Sequence, residues 1–228
     1  MPINQKNTEL LKEVLNLKYS PVAVTYTNEE LEIPRERTSI CRAIKKASEA
    51  NKTYYLDAKH SACPGGTWHC GLAPRQNGEP RKRLQKFLTQ GEKLYHTVTA
   101  FERSQKLAAP IPENWTENIL IAPLDKTPLR PDILIFTANP GQIARLVILD
   151  TYWDGIPIKT DVSGALCHSA ITTAIVTGKT NVTLGDTTAR KNLFADDEMF
   201  FILPYERLDN LIKAIPLSTA GTAVMERP

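Results

Sequence analysis

The sequence predicts an α/β chain, with a mixed α+β arrangement as the alternative form: a mixed β-sheet flanked by helices. Three observations carry this. ENILIAPL (Glu117 to Leu124) and PDILIFTANP (Pro131 to Pro140) are apolar, β-branched runs of strand length. The second runs through Asn139-Pro140-Gly141 into the apolar helix QIARLVILDTYW, a strand-turn-helix unit. SICRAIKKASEANKTYYLD, from Ser39, can be laid on ALCHSAITTAIVTGKTNVTLGD, from Ala165, each reading helix, Lys-Thr turn, strand. The chain is therefore read as one domain spanning 1–228, with the option of two related halves meeting near 105–116.

In order, Asn7 to Leu17 has leucines at helical spacing, with Asn7 or Thr8 as cap. Ser20 to Thr27 reads as a strand, and Thr38 or Ser39 caps a helix beginning near Cys41 and stopping at Asn51. A thiol in that first turn meets free amides and the positive end of the helix dipole, which favours a thiolate. Thr53 to Asp57 is a short strand. In the polar stretch after Gly71, RKRLQKFL can be helical, and its Arg81, Lys82, Arg83 and Lys86 read as a solvated face rather than a nucleic-acid site. IPIKTDV is read as extended, Gly164 to Thr177 as a helix stopped by Gly178, NVTLGD and MFFILPY as strands, TTARKNLFADDE as a loop or short helix, and ERLDNLIKAI as the last helix. STAGTAVMERP is read as a weakly ordered tail.

The chain has 228 residues, 28 basic and 25 acidic, with a net charge of +3, too balanced to point to nucleic acid or an anionic membrane. It shows neither a signal-peptide core nor an apolar run long enough for a membrane span, so it is expected in the cytoplasm. In that reducing setting four cysteines point to metal ligation or reactivity rather than to disulfides.

Two of those cysteines lie in KHSACPGGTWHCG (Lys59 to Gly71), beside a Pro-Gly-Gly turn, His60 and His69. Cys41, Cys63, Cys70 and Cys167 contain no Cys-x-x-Cys pair, which weakens zinc-ribbon, thioredoxin and ferredoxin readings. A 4Fe-4S cluster accepts such dispersed ligands, one cysteine to each iron corner, and Gly65 and Gly66 would let backbone amides approach its sulfides. Zinc is the alternative cofactor. Asn139 and Arg145, at the carboxyl end of a strand, are further cofactor-binding candidates. Asp196-Asp197-Glu198 is an acidic run expected to be solvated, and no dinucleotide, P-loop, zincin or nucleophile-elbow motif is present.

The motifs SPVAVTY, CRAIKKA, CPGG, PDILIFTANPGQIARL, GALC and DDEMFFILPYERL resemble the domain-of-unknown-function family 169, over about Leu17 to Ile215. The resemblance implies a prokaryotic cytoplasmic protein, often of anaerobes, with cysteines at Cys41, Cys63 and Cys167. Cys70 carries over least directly, and with three ligands an iron corner would stay open for substrate or be filled by His69. The reading is an iron-sulfur protein with a redox or cluster-dependent role on a small molecule, partnered by that molecule or by a redox protein; a homodimer is compatible with it. The alternatives are a non-enzymatic zinc- or cluster-binding sensor and a plain ligand-binding domain with free cysteines.

Overall fold

The computed structural model describes residues 2–107, 111–113 and 115–222. In chain order it runs α1 (Ile3–Leu15), β1 (Val22–Thr27), α2 (Ile40–Ala50), β2 (Tyr54–Leu56), α3 (Pro64–His69), α4 (Gly78–Lys86), α5 (Val98–Leu107), β3 (Asn118–Pro123), β4 (Ile133–Ala138), α6 (Pro140–Thr151), α7 (Thr173–Thr177), β5 (Asn181–Thr183), α8 (Thr187–Asn192), β6 (Met199–Pro204) and α9 (Leu208–Ala214). A π-helical turn, Cys167–Thr172, leads directly into α7. Of the stretch 105–116, residues 108–110 and 114 lie outside the described residues, as do 223–228 of the expected tail.

The fold is mixed α+β around one six-stranded sheet, ordered β2-β3-β1-β4-β6-β5. Every pairing between these strands is antiparallel, where strands of both directions were expected. The reason is local. The third strand of each half, β3 or β6, inserts between the first and second, so the parallel strands of that half, β1 and β2 or β4 and β5, are not neighbours.

The strand order is palindromic about the β1–β4 junction. The matching extends to details: Leu124, just after β3, donates its amide to Pro21 O at 2.9 Å, and Tyr205, just after β6, donates to Asp132 O at 2.9 Å. A 3-10 turn follows both strands, Leu124–Lys126 and Tyr205–Arg207.

Both faces of the sheet are covered. On one, α2, the π-helical turn and α8 pack Ile40, Ile44, Ile171 and Ala189 over Val22, Val24, Ile133 and Ile135. On the other, α1, α6 and α9 pack Leu11, Leu146 and Leu211 over Ala23, Leu134, Phe136 and Phe201. Double coverage is why β3 and β4 read as unbroken apolar runs instead of alternating ones.

Several boundaries differ from the sequence reading for identifiable reasons. The first helix starts at Ile3, and Asn7 and Thr8 are buried within it, Thr8 bonding the carbonyl of Asn4 at 2.8 Å rather than capping. Pro64-Gly65-Gly66 opens a helix instead of a turn, because proline at the first helical position lacks only an amide that would go unpaired there. The α5 helix emerged from a polar stretch, anchored by fully buried Phe101. Ile156 to Val162 forms no strand.

Candidate functional site

The cysteines all lie on the α2/α7 face of the sheet. Ser39 caps α2, its Oγ accepting the Arg42 amide at 3.3 Å, which puts Cys41 in the first turn; Asn51 ends the helix in a left-handed conformation. Cys63 itself caps α3, its Sγ accepting the Gly66 amide at 3.4 Å, and Cys70 closes the same helix. Cys167 opens the π-helical turn that continues α7, a deviation that recurs at functional sites. Cys41 and Cys167 thus occupy matching places in the palindrome.

The four thiols, up to 126 positions apart in the chain, lie within charge range: Cys41, Cys63 and Cys70 all act on Cys167, Cys63 and Cys70 on Cys41, and Cys63 on Cys70. None is in a disulfide. Cys70 and Cys167 form the floor, Cys41 is half-buried and Cys63 is exposed. Burial pushes the Cys70 thiol up to about 12 and raises those of Cys41 and Cys167 well above the usual range. At Cys41 desolvation thus outweighs the helix dipole that was expected to favour a thiolate. Among the described residues, no three His, Cys, Asp or Glu side chains are grouped so that they could hold a metal ion.

The glycines beside Cys63 differ. Gly65 faces open space, whereas a Cβ on Gly66 would lie 3.4 Å from Ile40 Cγ1 and 3.7 Å from Cys63 Sγ. Gly71 follows Cys70 with φ +72°, and a Cβ there would come within 2.7 Å of Ile111 Cγ2, so the turn beneath Cys70 admits only glycine without rearrangement.

Asn139 and Arg145 are not brought to the cysteines. Their helix α6 belongs to the opposite face, where Asn139 and Gln142 form a reciprocal cap. Arg145 binds the carbonyl oxygens of Ala220 at 2.7 Å and Val14 at 2.8 Å. Both residues have structural partners that account for them.

The histidines divide in two. His60 pairs its Nδ1 with Asp57 at 2.7 Å, an Asp that also bonds Arg35 at 3.0 Å. His69 and His168, neighbours of Cys70 and Cys167, are both buried with ring centroids 5.3 Å apart. Burial holds His69 neutral, its value lowered to about 3, and among the described residues its Nδ1 has no partner. Glu198, read as part of a solvated acidic run, is instead buried against Lys45 at 3.2 Å.

Two residues at the site were not identified from the sequence. Tyr26, on β1, sets its buried hydroxyl against the Cys70 thiol, without a hydrogen bond of ordinary geometry. Asp186, after β5, accepts the amides of Leu166 at 3.0 Å and Ala189 at 2.6 Å and lies within charge range of Cys41 and Cys167. The repeat offered no signal for Asp186, because with the cysteines superposed and one residue added before the Lys-Thr pair it sets Asp57 against Leu184.

Among the described residues no helix is long and apolar enough to cross a membrane. The chain is 29% identical to an uncharacterized protein of Methanocaldococcus jannaschii, over 94% of this chain and 95% of that one. No solved structure matches it. A family model described as uncharacterised ArCR matches residues 10–214, the whole sheet and every cysteine included, and the chain therefore belongs to that family, DUF169.

Proposed function

We propose that Cys41, Cys63, Cys70 and Cys167 hold a 4Fe-4S cluster used in redox or cluster-dependent chemistry on a small molecule. The observation that carries this reading is the convergence of cysteines from three separate helical segments on one face of the sheet, within charge range of Cys167. A tetrahedral zinc site would need sulfurs about 4 Å apart, given a metal–sulfur length near 2.3 Å. The described residues contain no group of three or more His, Cys, Asp or Glu side chains placed to hold a metal ion.

The donor chemistry also fits. An iron-sulfur centre with four thiolates is anionic, and the first turns of α2 and of the Cys167 segment would bring positive dipole ends to its edge. The Gly66 amide already points at Cys63 Sγ. Such amide–sulfur bonds, together with burial, tune a cluster's potential. When bound, the cluster would supply one-electron transfer. The chain's own contribution is to shield it at Cys70 and Cys167 and leave it approachable at Cys63 and Gly65, where a small molecule or redox partner would reach it.

The test is anaerobic purification followed by iron, sulfide and zinc analysis with paramagnetic resonance. About four irons and four sulfides per chain are expected, with the resonance of a reduced cubane. Stoichiometric zinc without sulfide would overturn the cluster in favour of a zinc module. A folded, metal-free protein would overturn both and leave buried, protonated thiols in a ligand-binding domain.

A further inference from the structure

Asp186 stands at a turn that the rest of the half is packed to hold. Gly185 before it has φ +76°, and a Cβ there would lie 2.9 Å from Phe200 Cε2 and 3.5 Å from Leu166 Cδ1. The turn is therefore pressed between strand β6 and the residue that precedes Cys167. From it one carboxylate oxygen caps α8 at the Ala189 amide, 2.6 Å, and the other accepts the Leu166 amide at 3.0 Å. Capping α8 needs only the first bond. The second ties down the backbone immediately before Cys167, in a segment that is fully buried at Leu166.

A carboxylate of the other half, Asp57 just after β2, makes the contrast. Asp57 likewise accepts local amides, those of Lys59 and His60 at 2.8 Å each, but its other oxygen pairs with Arg35 at 3.0 Å. Among the described residues no cation pairs with Asp186. One carboxylate is neutralised locally, and the other leaves its charge at the cysteine site, where it raises the thiols of Cys41 and Cys167, although less than burial does.

We infer that Asp186 is a positioning residue of the cysteine site, holding the Leu166 backbone so that Cys167 is fixed, while its unpaired charge biases the bound redox group toward its oxidised form. The second role rests on the cluster reading above. The sign follows from Coulomb's law. Reduction adds an electron beside a fixed negative charge, so the carboxylate disfavours the reduced state and its removal favours it.

The experiment is a mediated redox titration of the anaerobically reconstituted wild type, Asp186→Asn and Asp186→Glu, paired with amide hydrogen exchange on the metal-free proteins. Asp186→Asn is expected to shift the one-electron equilibrium toward the reduced state by about tenfold, 59 mV. Asp186→Glu, which keeps the charge, stays near the wild type. In the metal-free Asp186→Asn protein, exchange at Leu166 is expected to quicken about tenfold, with β4 and β6 unchanged. Should Asp186→Asn not fold, Asp186→Ser keeps an oxygen for the Ala189 amide and carries the same comparisons. A wild type that takes up no iron and sulfide overturns the cluster reading, and the charge role with it. A loaded wild type whose midpoint equals that of Asp186→Asn overturns the charge role alone, and unchanged exchange at Leu166 overturns the positioning role.

Discussion

Thr172 donates its buried hydroxyl to the carbonyl oxygen of His69 at 2.6 Å, joining the π-helical turn that carries Cys167 to the helix that ends at Cys70. The two residues are 103 positions apart, so this bond registers the two halves of the site against each other. Thr172→Val keeps the shape, removes the donor and leaves a buried carbonyl short of a partner. A loss of about 1–3 kcal/mol is expected in urea denaturation of the metal-free protein. Thr172→Ser, which keeps the hydroxyl, should recover most of it. A valine variant as stable as the wild type would show that the bond does not register the site.

The cysteines separate ligation from packing. Each single Cys→Ser variant of the four should lower bound iron and sulfide after reconstitution, since every corner uses one thiolate. Their metal-free stabilities should differ. Cys63 is exposed, so its serine variant should stay within about 0.5 kcal/mol of the wild type. Cys70 is fully enclosed, and a hydroxyl there should cost about 1–3 kcal/mol. Equal iron retention by Cys63→Ser and the wild type would remove Cys63 from the ligand set.

What was legible in the sequence follows from how local its cause was. Ser39, Asn51, Asn139 and Gly178 act on amides or carbonyls within a few residues, and they end or begin helices where the sequence placed them. The helix-turn-strand match between Ser39 and Ala165 has a counterpart in the palindromic strand order. Strand direction was less legible, because whether β3 returns beside β1 depends on the connection and not on either strand's residues. The helix α5 has little apolar face of its own and was hidden in a polar stretch. Tyr26 and Asp186 reach the cysteines through sheet pairing and a turn, so neither carries a local mark. Asn139 and Arg145 follow a rule for ligands at the carboxyl ends of parallel strands, and this antiparallel sheet does not meet its premise.

The polar excursion after Gly71 depends on one carboxylate. Glu102 on α5 accepts from Arg81 at 2.9 Å, Arg75 at 2.7 Å and Gln85 at 2.8 Å, and the Arg81 guanidinium chiefly holds its carboxyl down at about 2. A depressed carboxylate stabilises the fold above its ordinary value near 4.5, and that stability drains as pH falls through the window down to about 2. With partial exposure screening the charges, the wild type should lose about 2 kcal/mol across that window through this group. Glu102→Gln should be less stable at pH 7 and should lose correspondingly less on acidification. Parallel pH profiles from denaturation at pH 7, 5 and 3 would show that the pairing contributes nothing.

Tyr26 gives opposite expectations for the empty and the loaded site. Its hydroxyl is buried, lies against Cys70 and makes no ordinary hydrogen bond, and burial raises its proton affinity well above the phenol range. In the metal-free protein the hydroxyl therefore has a desolvation cost with little return, and Tyr26→Phe should leave stability unchanged or raise it by up to about 1 kcal/mol. In the proposed cluster site, ligation would deprotonate the Cys70 sulfur and make it a far better acceptor. The phenol then becomes a donor to a thiolate ligand, a bond that stabilises the more negative, reduced state. Tyr26→Phe should thus lower the midpoint potential of the reconstituted protein, the reverse of the shift expected when the charge of Asp186 is removed. Stability from urea denaturation and potential from mediated titration measure the two effects on the same pair of proteins. A phenylalanine variant markedly less stable when metal-free would mean that the hydroxyl already serves the folded chain, and an unchanged midpoint would mean that it does not face the ligand sulfur.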